Sequence, residues 1–474
     1  MFHRSPLPDI ALPETTLFAL LESDSPALTE IDTGRSVTYA ELRALALGTA
    51  SALAARGVGP GSVVELRIPN SINFAAGLLG ASATGATVCL IGHSLRDDEA
   101  RHLATLAGAT DRVRADDIRP GTFTPVGDPD DVAVIPFSSG TTGLPKAVEL
   151  THRAVTANAA QFNAALAASG IGPGGEVVAP LPFSHIYGLN TLLLSSLAAG
   201  RHVYTAARFD FAEFAAAHRG RAIDISYIAP PIALALANHA DPADFAGTRF
   251  MVCGAAPLDT ALARTVERRI GVQILQGYGT TESAPVTHVG IAGKSDPGTI
   301  GFALPNTQFR LSDSGELLVR GPQLMRGYLD NPDATAAAIR DGWLHTGDIG
   351  TLDERGNLKI TDRLKDMYIC GGFNVYPAEV EEVIRTHPDV ADVAVVGRPR
   401  EDGSEDVVAC IVLNDGSALD PDGLKAFARE RLTRYKVPRT FYHFDELAKD
   451  QMGKIRRREV RDDLLAKLAA RTPR

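Results

Sequence analysis

The segment best suited to chemistry is Ser138-Ser-Gly-Thr-Thr-Gly-Leu-Pro-Lys146, which directly follows an apolar run at residues 132–137. Its two glycines allow the backbone to approach a ligand closely, and its hydroxyls, N–H groups and lysine can surround phosphate oxygens. The segment therefore predicts a phosphate-binding loop. A Ser/Thr/Gly surface turn has the same composition and is the alternative interpretation.

This loop is not a Walker A loop, which needs Gly-Lys-Ser/Thr leading into a helix. Leu144 and Pro145 separate the last glycine from the lysine, and residues 147–150 predict a strand, with a helix beginning only near Thr151. The pair Gly293-Lys294 lacks the upstream glycine, and Gly453-Lys454 lacks the following hydroxyl. P-loop kinases and ATPases are therefore disfavoured.

Four more segments that could carry chemistry follow the loop. In chain order they are Gln276-Gly-Tyr-Gly-Thr-Thr-Glu-Ser283, Gly342-Trp-Leu-His-Thr-Gly-Asp348, Asp362-Arg-Leu-Lys365 and Gly453-Lys454. In order and spacing, the five segments resemble the adenylate-forming superfamily, which includes acyl-CoA synthetases, 4-coumarate-CoA ligase, luciferase and peptide-synthetase adenylation domains. The intermediate segments at 254–258 and 321–328 resemble the same family.

The resemblance implies a two-step reaction. A carboxylic acid and ATP give an acyl-adenylate and pyrophosphate, and a thiol, usually that of coenzyme A, then displaces AMP. Because the substrate carboxylate itself attacks the α-phosphorus, the protein has to position groups and neutralise charge rather than supply a nucleophile. The implied cofactors are ATP, Mg²⁺ and coenzyme A or the phosphopantetheine of a carrier protein.

The resemblance also assigns nucleotide-binding roles. The residues implied to hold the β- and γ-phosphates are Ser138, Ser139, Gly140, Thr141, Thr142, Gly143 and Lys146. Those implied to border the adenine and neighbouring nucleotide atoms are Gly254, Ala255, Ala256, Pro257, Gly277, Tyr278, Gly279 and Thr280.

Four acidic, basic or hydroxyl residues have separate implied roles. Thr281 bonds the α-phosphate, and Glu282 holds Mg²⁺, a hard cation suited to carboxylate oxygens. Read without the family, Glu282 also fits a residue that begins a helix. Asp348 accepts the two ribose hydroxyls through its two oxygens, and Arg363 adds a ribose or phosphate contact.

Lys454 is the residue implied to be catalytic in the first step, where it contacts the reacting carboxylate and the α-phosphate. Lys365 stands at the family's hinge position, where a change of backbone torsions reorients the C-terminal domain. An ordinary surface lysine is its alternative interpretation. Gly371, Gly372 and Phe373 are implied to border the passage for the coenzyme A thiol.

The acid pocket is implied by Leu181-Pro-Phe-Ser-His-Ile-Tyr-Gly188, with His185 closing on the carboxylate end; a histidine among apolar residues is more often a core group. The other implied pocket residues are Tyr187, Gly188, Tyr227, Gly277, Pro285 and Val286. No aspartate lies between residues 181 and 190, so a simple acid is favoured over an amino acid. Arg208 is a weaker candidate for binding a second carboxylate.

A fatty or other apolar acid is the expected substrate. The 4-coumarate ligases commonly carry a second lysine four residues after the hinge, where this chain has Ile369, and residues 362–382 resemble bacterial medium- or long-chain acyl-CoA synthetases. Two alternatives remain open: a ligase that loads an acyl carrier protein, and a catalytically inactive nucleotide- or acyl-binding protein.

The elements that must position these residues follow from the hydrophobic pattern. Short β-branched runs alternate with Ala-rich helical stretches over residues 35–300, which predicts layered α/β sheets. Residues 62–68, 87–91 and 131–137 are predicted strands, and residues 72–85 a helix. A small β-rich section follows residue 313.

The predicted domains are an N-terminal AMP-binding domain (1–362), a hinge (363–366) and a mobile α+β C-terminal domain (367–474). The C-terminal part is predicted to contain a helix at 378–387, strands at 392–396 and 407–413, and helices near 421–435.

Composition limits the partners. The 474-residue chain has a net charge of −10, which argues against a surface built to hold nucleic acid. Four scattered cysteines predict neither disulfides nor a zinc site and favour a cytoplasmic location. Residues 74–91 resemble a membrane span but contain many small residues, so a buried helix running into a strand is expected, with no transmembrane segment.

Overall fold

The computed structural model describes residues 2–21, 23, 25–139, 145–364, 368–370, 373–375, 377–399, 405–450 and 453–471. It divides into two compact units. The larger unit comprises residues 1–310, 318–346 and 352–359, and the smaller unit comprises residues 311–317, 347–351 and 360–474.

The described strands and helices alternate over the first 300 residues. The strands are β1 (His3–Arg4), β2 (Pro26–Glu30), β3 (Ser36–Thr38), β4 (Val63–Leu66), β5 (Thr87–Leu90), β6 (Asp111–Arg112), β7 (Val132–Ile135), β8 (Phe137–Ser139), β9 (Pro145–Thr151), β10 (Glu176–Val178), β11 (His202–Thr205), β12 (Ile223–Ile228), β13 (Phe250–Cys253), β14 (Gln273–Gly279), β15 (Val286–Val289), β16 (Phe302–Ala303), β17 (Gln308–Leu311), β18 (Glu316–Arg320), β19 (Gly327–Tyr328), β20 (Ile339–Arg340), β21 (Trp343–Leu352), β22 (Leu358–Arg363), β23 (Tyr368–Cys370), β24 (Phe373–Val375), β25 (Val390–Pro399), β26 (Glu405–Leu413) and β27 (Thr440–His443).

The α-helices are α1 (Tyr39–Ala54), α2 (Ile72–Ala83), α3 (Asp97–Leu106), α4 (His152–Ala167), α5 (Ser195–Ala198), α6 (Phe211–His218), α7 (Pro230–His239), α8 (Thr260–Ile270), α9 (Pro332–Ala338), α10 (Pro377–Arg385), α11 (Pro421–Arg429) and α12 (Arg457–Arg471). A π-helix spans Tyr187–Leu194, and short 3₁₀ helices span Leu17–Leu20, Ala115–Asp117, Pro242–Phe245 and Thr281–Ser283.

Two large sheets form the larger unit. The nine-stranded sheet has the order β16-β15-β14-β13-β12-β10-β11-β2-β3, with parallel pairing from β14 through to β2. The seven-stranded sheet has the order β19-β9-β7-β5-β4-β6, with β8 also paired to β9. Parallel strands need helical crossovers that cover both faces, which explains why β5 and β7 are almost entirely buried.

Helices α1 and α2 pack closely because small residues meet at their contact. A Cβ added to Gly80 would lie 2.6 Å from the Thr49 Cβ. Helix α1 begins with a capping box, in which Thr38 Oγ1 accepts from the Glu41 N–H at 3.2 Å and Glu41 Oε2 accepts from the Thr38 N–H at 2.8 Å. The stretch that resembled a membrane span is α2 followed by β5, as predicted. Among the described residues, no helix combines the length and apolar composition that a membrane span needs.

One strand prediction was wrong in its extent. The expected strand at 131–137 is two strands, β7 and β8, which both pair antiparallel with β9. Pro136 lies between them and has no N–H to donate, although its carbonyl accepts from the Val148 N–H at 2.9 Å. The register on β9 continues across the break, since Val134 pairs with Leu150 and Phe137 with Ala147.

The smaller unit contains a three-stranded sheet in the order β25-β26-β27, antiparallel and then parallel. One face packs against Val380 and Ile384 of α10, and the other against Val460 and Leu464 of α12. Glu381 Oε2 and Arg457 Nη2 form an ion pair at 2.7 Å, and Glu381 Oε1 also accepts from the Val395 N–H. This unit is α+β, as predicted. The expected hinge residue Lys365 lies outside the described residues.

Burial of histidines makes the larger unit sensitive to acid. His218, at the end of α6, is fully buried, with its ring 4.6 Å from that of Phe214 and 4.7 Å from that of Phe245. Burial lowers the pKa of His218 to about 4. The unfolded chain therefore binds more protons than the folded chain between about pH 6.5 and pH 4, and stability falls as pH decreases through that window.

We expect His218→Phe to reduce this acid sensitivity. The phenyl ring fits the aromatic surroundings and cannot be protonated, so at pH 5 the variant avoids a cost of about 2 kcal/mol. Urea unfolding of both proteins at pH 7.5 and pH 5 checks this. The drop in unfolding free energy between the two pH values should be smaller in the variant, and an equal drop would contradict the assignment.

Candidate active site

The strands on either side of the phosphate loop place its two described ends side by side. Ser138 on β8 is the register partner of Lys146 on β9, and Ser139 is the partner of Pro145. The remaining predicted loop residues, Gly140, Thr141, Thr142 and Gly143, lie outside the described residues. The pairing of β8 with β9 therefore brings Lys146 beside the beginning of the loop. The phosphate contacts of the loop stay a prediction.

Lys146 and Glu282 contact the same tyrosine. The Lys146 Nζ lies 4.6 Å from the centre of the Tyr328 ring, a distance typical of a cation–π contact. The Tyr328 hydroxyl donates to Glu282 Oε1 at 2.9 Å. Burial, and secondly the Glu282 charge, raises the pKa of Tyr328 well above its usual range, so the phenol stays protonated and remains a donor. Sequence reasoning assigned no role to Tyr328, although it lies within the family-like segment 321–328.

Glu282 lies in a short 3₁₀ turn, Thr281–Ser283, with tight backbone support. Ser283 Oγ donates to the Pro285 carbonyl at 2.6 Å and accepts from the Thr280 N–H at 3.1 Å. The Glu282 carbonyl accepts from the Met325 N–H at 2.8 Å. The turn thus follows β14 directly and fixes the backbone of both Thr281 and Glu282.

The arrangement fits a magnesium ion shared with a nucleotide. Mg²⁺ is commonly held by one or two carboxylates together with substrate phosphates, keeping several waters. Glu282 supplies one carboxylate beside the lysine that ends the phosphate loop. Among the described residues no three His, Cys, Asp or Glu side chains gather as a cage for a metal.

The predicted adenine-bordering residues occupy the ends of two neighbouring strands. Gly254 to Pro257 follow β13, while Gly277 and Tyr278 lie on β14. The Gly254 N–H donates to the Ile228 carbonyl at 3.2 Å, and Ala255 has a left-handed φ of 71°. Gly279 is required by packing, because an added Cβ would overlap the Pro285 carbonyl. Both segments lie where ligands bind in open α/β sheets, at the carboxyl ends of parallel strands.

The predicted acid-pocket residues lie on and around the π-helix. Tyr187 begins this helix, is 6% exposed, and donates its hydroxyl to the Val252 carbonyl at 3.2 Å. A Cβ at Gly254 would lie only 2.7 Å from the Tyr187 ring. Tyr227 on β12 is fully buried. The half-buried His185 accepts from the Tyr187 N–H through Nδ1 at 3.2 Å, while Gly188 leaves room for the Pro182 carbonyl.

Two buried amides, which sequence reasoning missed, connect the predicted acid-pocket segment with the Glu282 turn. Asn190, on the π-helix, donates to the Ala284 carbonyl and to the Val155 carbonyl. Asn158, on α4, donates to the Val286 carbonyl at 2.7 Å and accepts from the Val286 N–H at 3.1 Å. The sequence signal that could have found them is an amide side chain within a stretch rich in Ala and Leu. These bonds fix Pro285 and Val286 against the pocket helix.

The predicted ribose residues meet within the smaller unit. Asp348 on β21 is 1% exposed, and its Oδ1 pairs with Arg363 Nε on β22 at 2.7 Å. The Gly347 N–H donates to Glu316 Oε1 at 3.0 Å, which holds the turn before Asp348. Asp362 accepts from the N–H groups of Arg363 and Ala378, and burial raises its pKa to about 6.

Lys454 lies in the same unit, after the strand β27. Its N–H donates to Asp450 Oδ1 at 3.0 Å, and its carbonyl accepts from the Asp450 N–H at 2.9 Å. Gly453 has a φ of 80°, which shapes the turn that presents the lysine. Of the residues expected at the thiol passage, Phe373 lies on β24, while Gly371 and Gly372 fall outside the described residues.

Comparison with known proteins gives two family matches. The model of the AMP-binding enzyme family matches residues 19–117 and 111–329, and that of the AMP-binding enzyme C-terminal domain matches residues 379–454. 4-Coumarate–CoA ligase 3 of Oryza sativa subsp. japonica is 34% identical, over 99% of this chain and 95% of the relative.

Solved structures share the fold over nearly the whole chain. ATP-bound MatB from Rhodopseudomonas palustris has a TM-score of 0.87 at 26% identity, covering 95% of this chain and 99% of that one. The o-succinylbenzoate CoA synthetase MenE from Bacillus subtilis, in complex with an acyl-adenylate intermediate, has a TM-score of 0.85 at 25% identity with the same coverage. These matches confirm the layered α/β fold with a small α+β C-terminal part, and the chain belongs to the AMP-binding enzyme family within the adenylate-forming superfamily.

Proposed function

We propose that the protein is an ATP-dependent acid–thiol ligase, which converts a carboxylic acid to acyl-AMP with release of pyrophosphate and then forms the coenzyme A thioester. The observation that carries this proposal is the contact of Lys146 and Glu282 with one tyrosine beside the phosphate loop. A cation for phosphate and a carboxylate for Mg²⁺ are what transfer of an adenylyl group requires. The CoA ligases among the relatives support the thiol step.

In the first step, the chain's own residues bind and orient rather than react. The phosphate loop and Lys146 hold the β- and γ-phosphates, and Thr281 bonds the α-phosphate. Mg²⁺, held by Glu282, neutralises charge on the phosphate oxygens when it is bound. Asp348 accepts the ribose hydroxyls, while Arg363, paired with it at 2.7 Å, orients the carboxylate.

His185 and Lys454 act at the reacting groups. His185 borders the carboxylate end of the acid pocket, and Lys454 brings an ammonium to the carboxylate and α-phosphate, where negative charge increases as the new bond forms. A compact ammonium on a flexible stem can make both contacts and then withdraw. From the family resemblance we propose that residues 367–474 reorient about Lys365 between the two steps. Lys454 then leaves the reacting groups, and the thiol passage at residues 371–373 takes its place.

For the acid, we propose a compact apolar body. Tyr187 is buried against Gly254, Tyr227 is fully buried on β12, and we propose that Pro285 and Val286 complete a mainly apolar lining. The 4-coumarate–CoA ligase relatives support an aryl acid, and the segment around Ile369 supports an aliphatic one. An acyl carrier protein is the alternative acceptor.

A panel of aliphatic, aryl and dicarboxylic acids tests the function directly. Pyrophosphate release is measured with each acid, with and without coenzyme A, followed by a comparison of coenzyme A with a holo-carrier protein as acceptor. We expect acid-dependent release that coenzyme A accelerates, because it removes the acyl-AMP. The absence of acid-dependent pyrophosphate release over the whole panel would contradict the proposal. A strong preference for the holo-carrier protein would identify that protein, rather than coenzyme A, as the acceptor.

The role of Lys454 predicts a separation of the two half-reactions. Lys454→Ala should slow adenylation at least about a hundredfold, since a charge aimed at the transition state is lost, yet convert supplied acyl-AMP to thioester at a near-normal rate. Lys449→Ala, five residues earlier, is the matched control, because the side chain of that exposed lysine forms a surface ion pair with Asp392. Equal loss of both half-reactions in Lys454→Ala would contradict the assignment.

The contact between Gly254 and Tyr187 predicts a change in acid affinity. In Gly254→Ala the new Cβ would lie only 2.7 Å from the Tyr187 ring, so the ring has to move. We expect the KM for the acid to rise about tenfold, since overpacking of this kind costs about 1–3 kcal/mol, with a smaller change in the KM for ATP. Gly172→Ala, where an added Cβ meets nothing within 4 Å, is the control. A change confined to the KM for ATP would place Tyr187 outside the acid pocket.

A further inference from the structure

Tyr328 is held in place by backbone pairing on both sides of the candidate site. It lies on β19, where it is the register partner of Val148 on β9, and the Leu329 N–H donates to the Ala147 carbonyl at 2.9 Å. Its Cα is therefore fixed two register positions from Lys146. The Met325 N–H, three residues earlier, bonds the Glu282 carbonyl at 2.8 Å. One short segment thus fixes the tyrosine against both charged residues.

The two charged groups use different parts of the phenol. Lys146 lies over the ring face, and Glu282 Oε1 accepts from the hydroxyl. Among the described contacts, Lys146 and Glu282 form no ion pair with each other. The hydroxyl occupies one carboxylate oxygen, and no hydrogen bond or ion pair of the described residues involves Glu282 Oε2. The ring gives the ammonium a resting position without using its N–H donors on the carboxylate.

We propose that Tyr328 is a positioning residue, whose hydroxyl orients Glu282 for Mg²⁺ and whose ring holds Lys146 for the nucleotide phosphates. The inference rests on the proposed function. Groups that orient a metal ligand without touching the metal commonly change metal affinity by 10- to 100-fold. A cation–π contact contributes less, and acts on Lys146 alone.

The two contacts can be removed separately. Tyr328→Phe keeps the ring and removes the hydroxyl, so it should weaken the orientation of Glu282 only. Tyr328→Leu removes both contacts. Binding of ATP in the absence of acid, measured by calorimetry over a range of Mg²⁺ concentrations, reports on both effects without turnover.

For Tyr328→Phe we expect the Mg²⁺ concentration that half-saturates ATP binding to rise about tenfold, with ATP affinity recovered in excess Mg²⁺. For Tyr328→Leu we expect, in addition, an ATP affinity about fivefold weaker that excess Mg²⁺ does not restore. Initial rates of pyrophosphate release should follow the same pattern, since recovery by Mg²⁺ is not expected of a merely destabilised fold.

Tyr204 provides a matched control in the same unit. Its hydroxyl donates to Glu176 Oε1 at 2.8 Å, and the Arg221 guanidinium lies 5.0 Å from its ring centre, so it repeats both contacts away from the site. Tyr204→Phe and Tyr204→Leu should leave the Mg²⁺ dependence unchanged. An unchanged Mg²⁺ dependence in Tyr328→Phe, with the wild-type protein active on an acid, would overturn the positioning role alone. Absence of acid-dependent activity in the wild type would instead overturn the proposed function.

Discussion

In the proposed function, Lys146 and Glu282 carry opposite charges and each bind part of one nucleotide, so they have to be kept from pairing with each other. At 4 Å, a lysine and a glutamate attract each other by roughly 4 kcal/mol near a protein surface. A direct pair between Lys146 and Glu282 would have to be broken before phosphate and Mg²⁺ could enter. Tyr328 separates the two groups and gives each a weaker partner. Because the phenol is neutral, its contacts are easily exchanged for stronger ones with the nucleotide.

A second set of contacts connects the predicted acid-pocket segment with the Glu282 turn. Asn190 and Asn158 bond the backbone at Ala284 and Val286, immediately after the Glu282 turn. A buried amide left without partners is costly, so these bonds define one arrangement of the π-helix against the turn. In the proposed function, the carboxylate and the α-phosphorus must come within reacting distance. Rigid attachment of the two binding segments reduces the orientation cost of that encounter.

Much of the architecture follows from local patterns of apolar, small and helix-capping residues in the sequence. The apolar and small residues of 74–91 predicted a buried helix followed by a strand, and α2 and β5 occupy those positions. Thr151 was expected to precede a helix, and its side chain accepts from the Ala154 N–H at the start of α4. Pro136 was the exception. Its effect on the strand depended on β9, a partner that lies beyond the loop and outside any local pattern.

The site was less predictable than the fold. Motifs indicated what individual residues do, but which residues contact each other depended on how distant strands pair. The pairing of Asp348 with Arg363 joins neighbouring strands, β21 and β22, that no local pattern aligns. Tyr328 meets Lys146 and Glu282 only because β19 adds to β9, so its type and spacing alone carried no signal of its position. The roles of Thr141, Thr142 and Lys365 stay predictions from the family resemblance.

The central claim is that the acid's own carboxylate attacks the α-phosphorus of ATP, and an oxygen label tests it most directly. The acid is supplied with both carboxyl oxygens as ¹⁸O, and the products are analysed by mass spectrometry after turnover with coenzyme A. We expect one ¹⁸O atom in the phosphate of AMP and none in pyrophosphate. Label in inorganic phosphate with formation of ADP, or AMP without label, would contradict it.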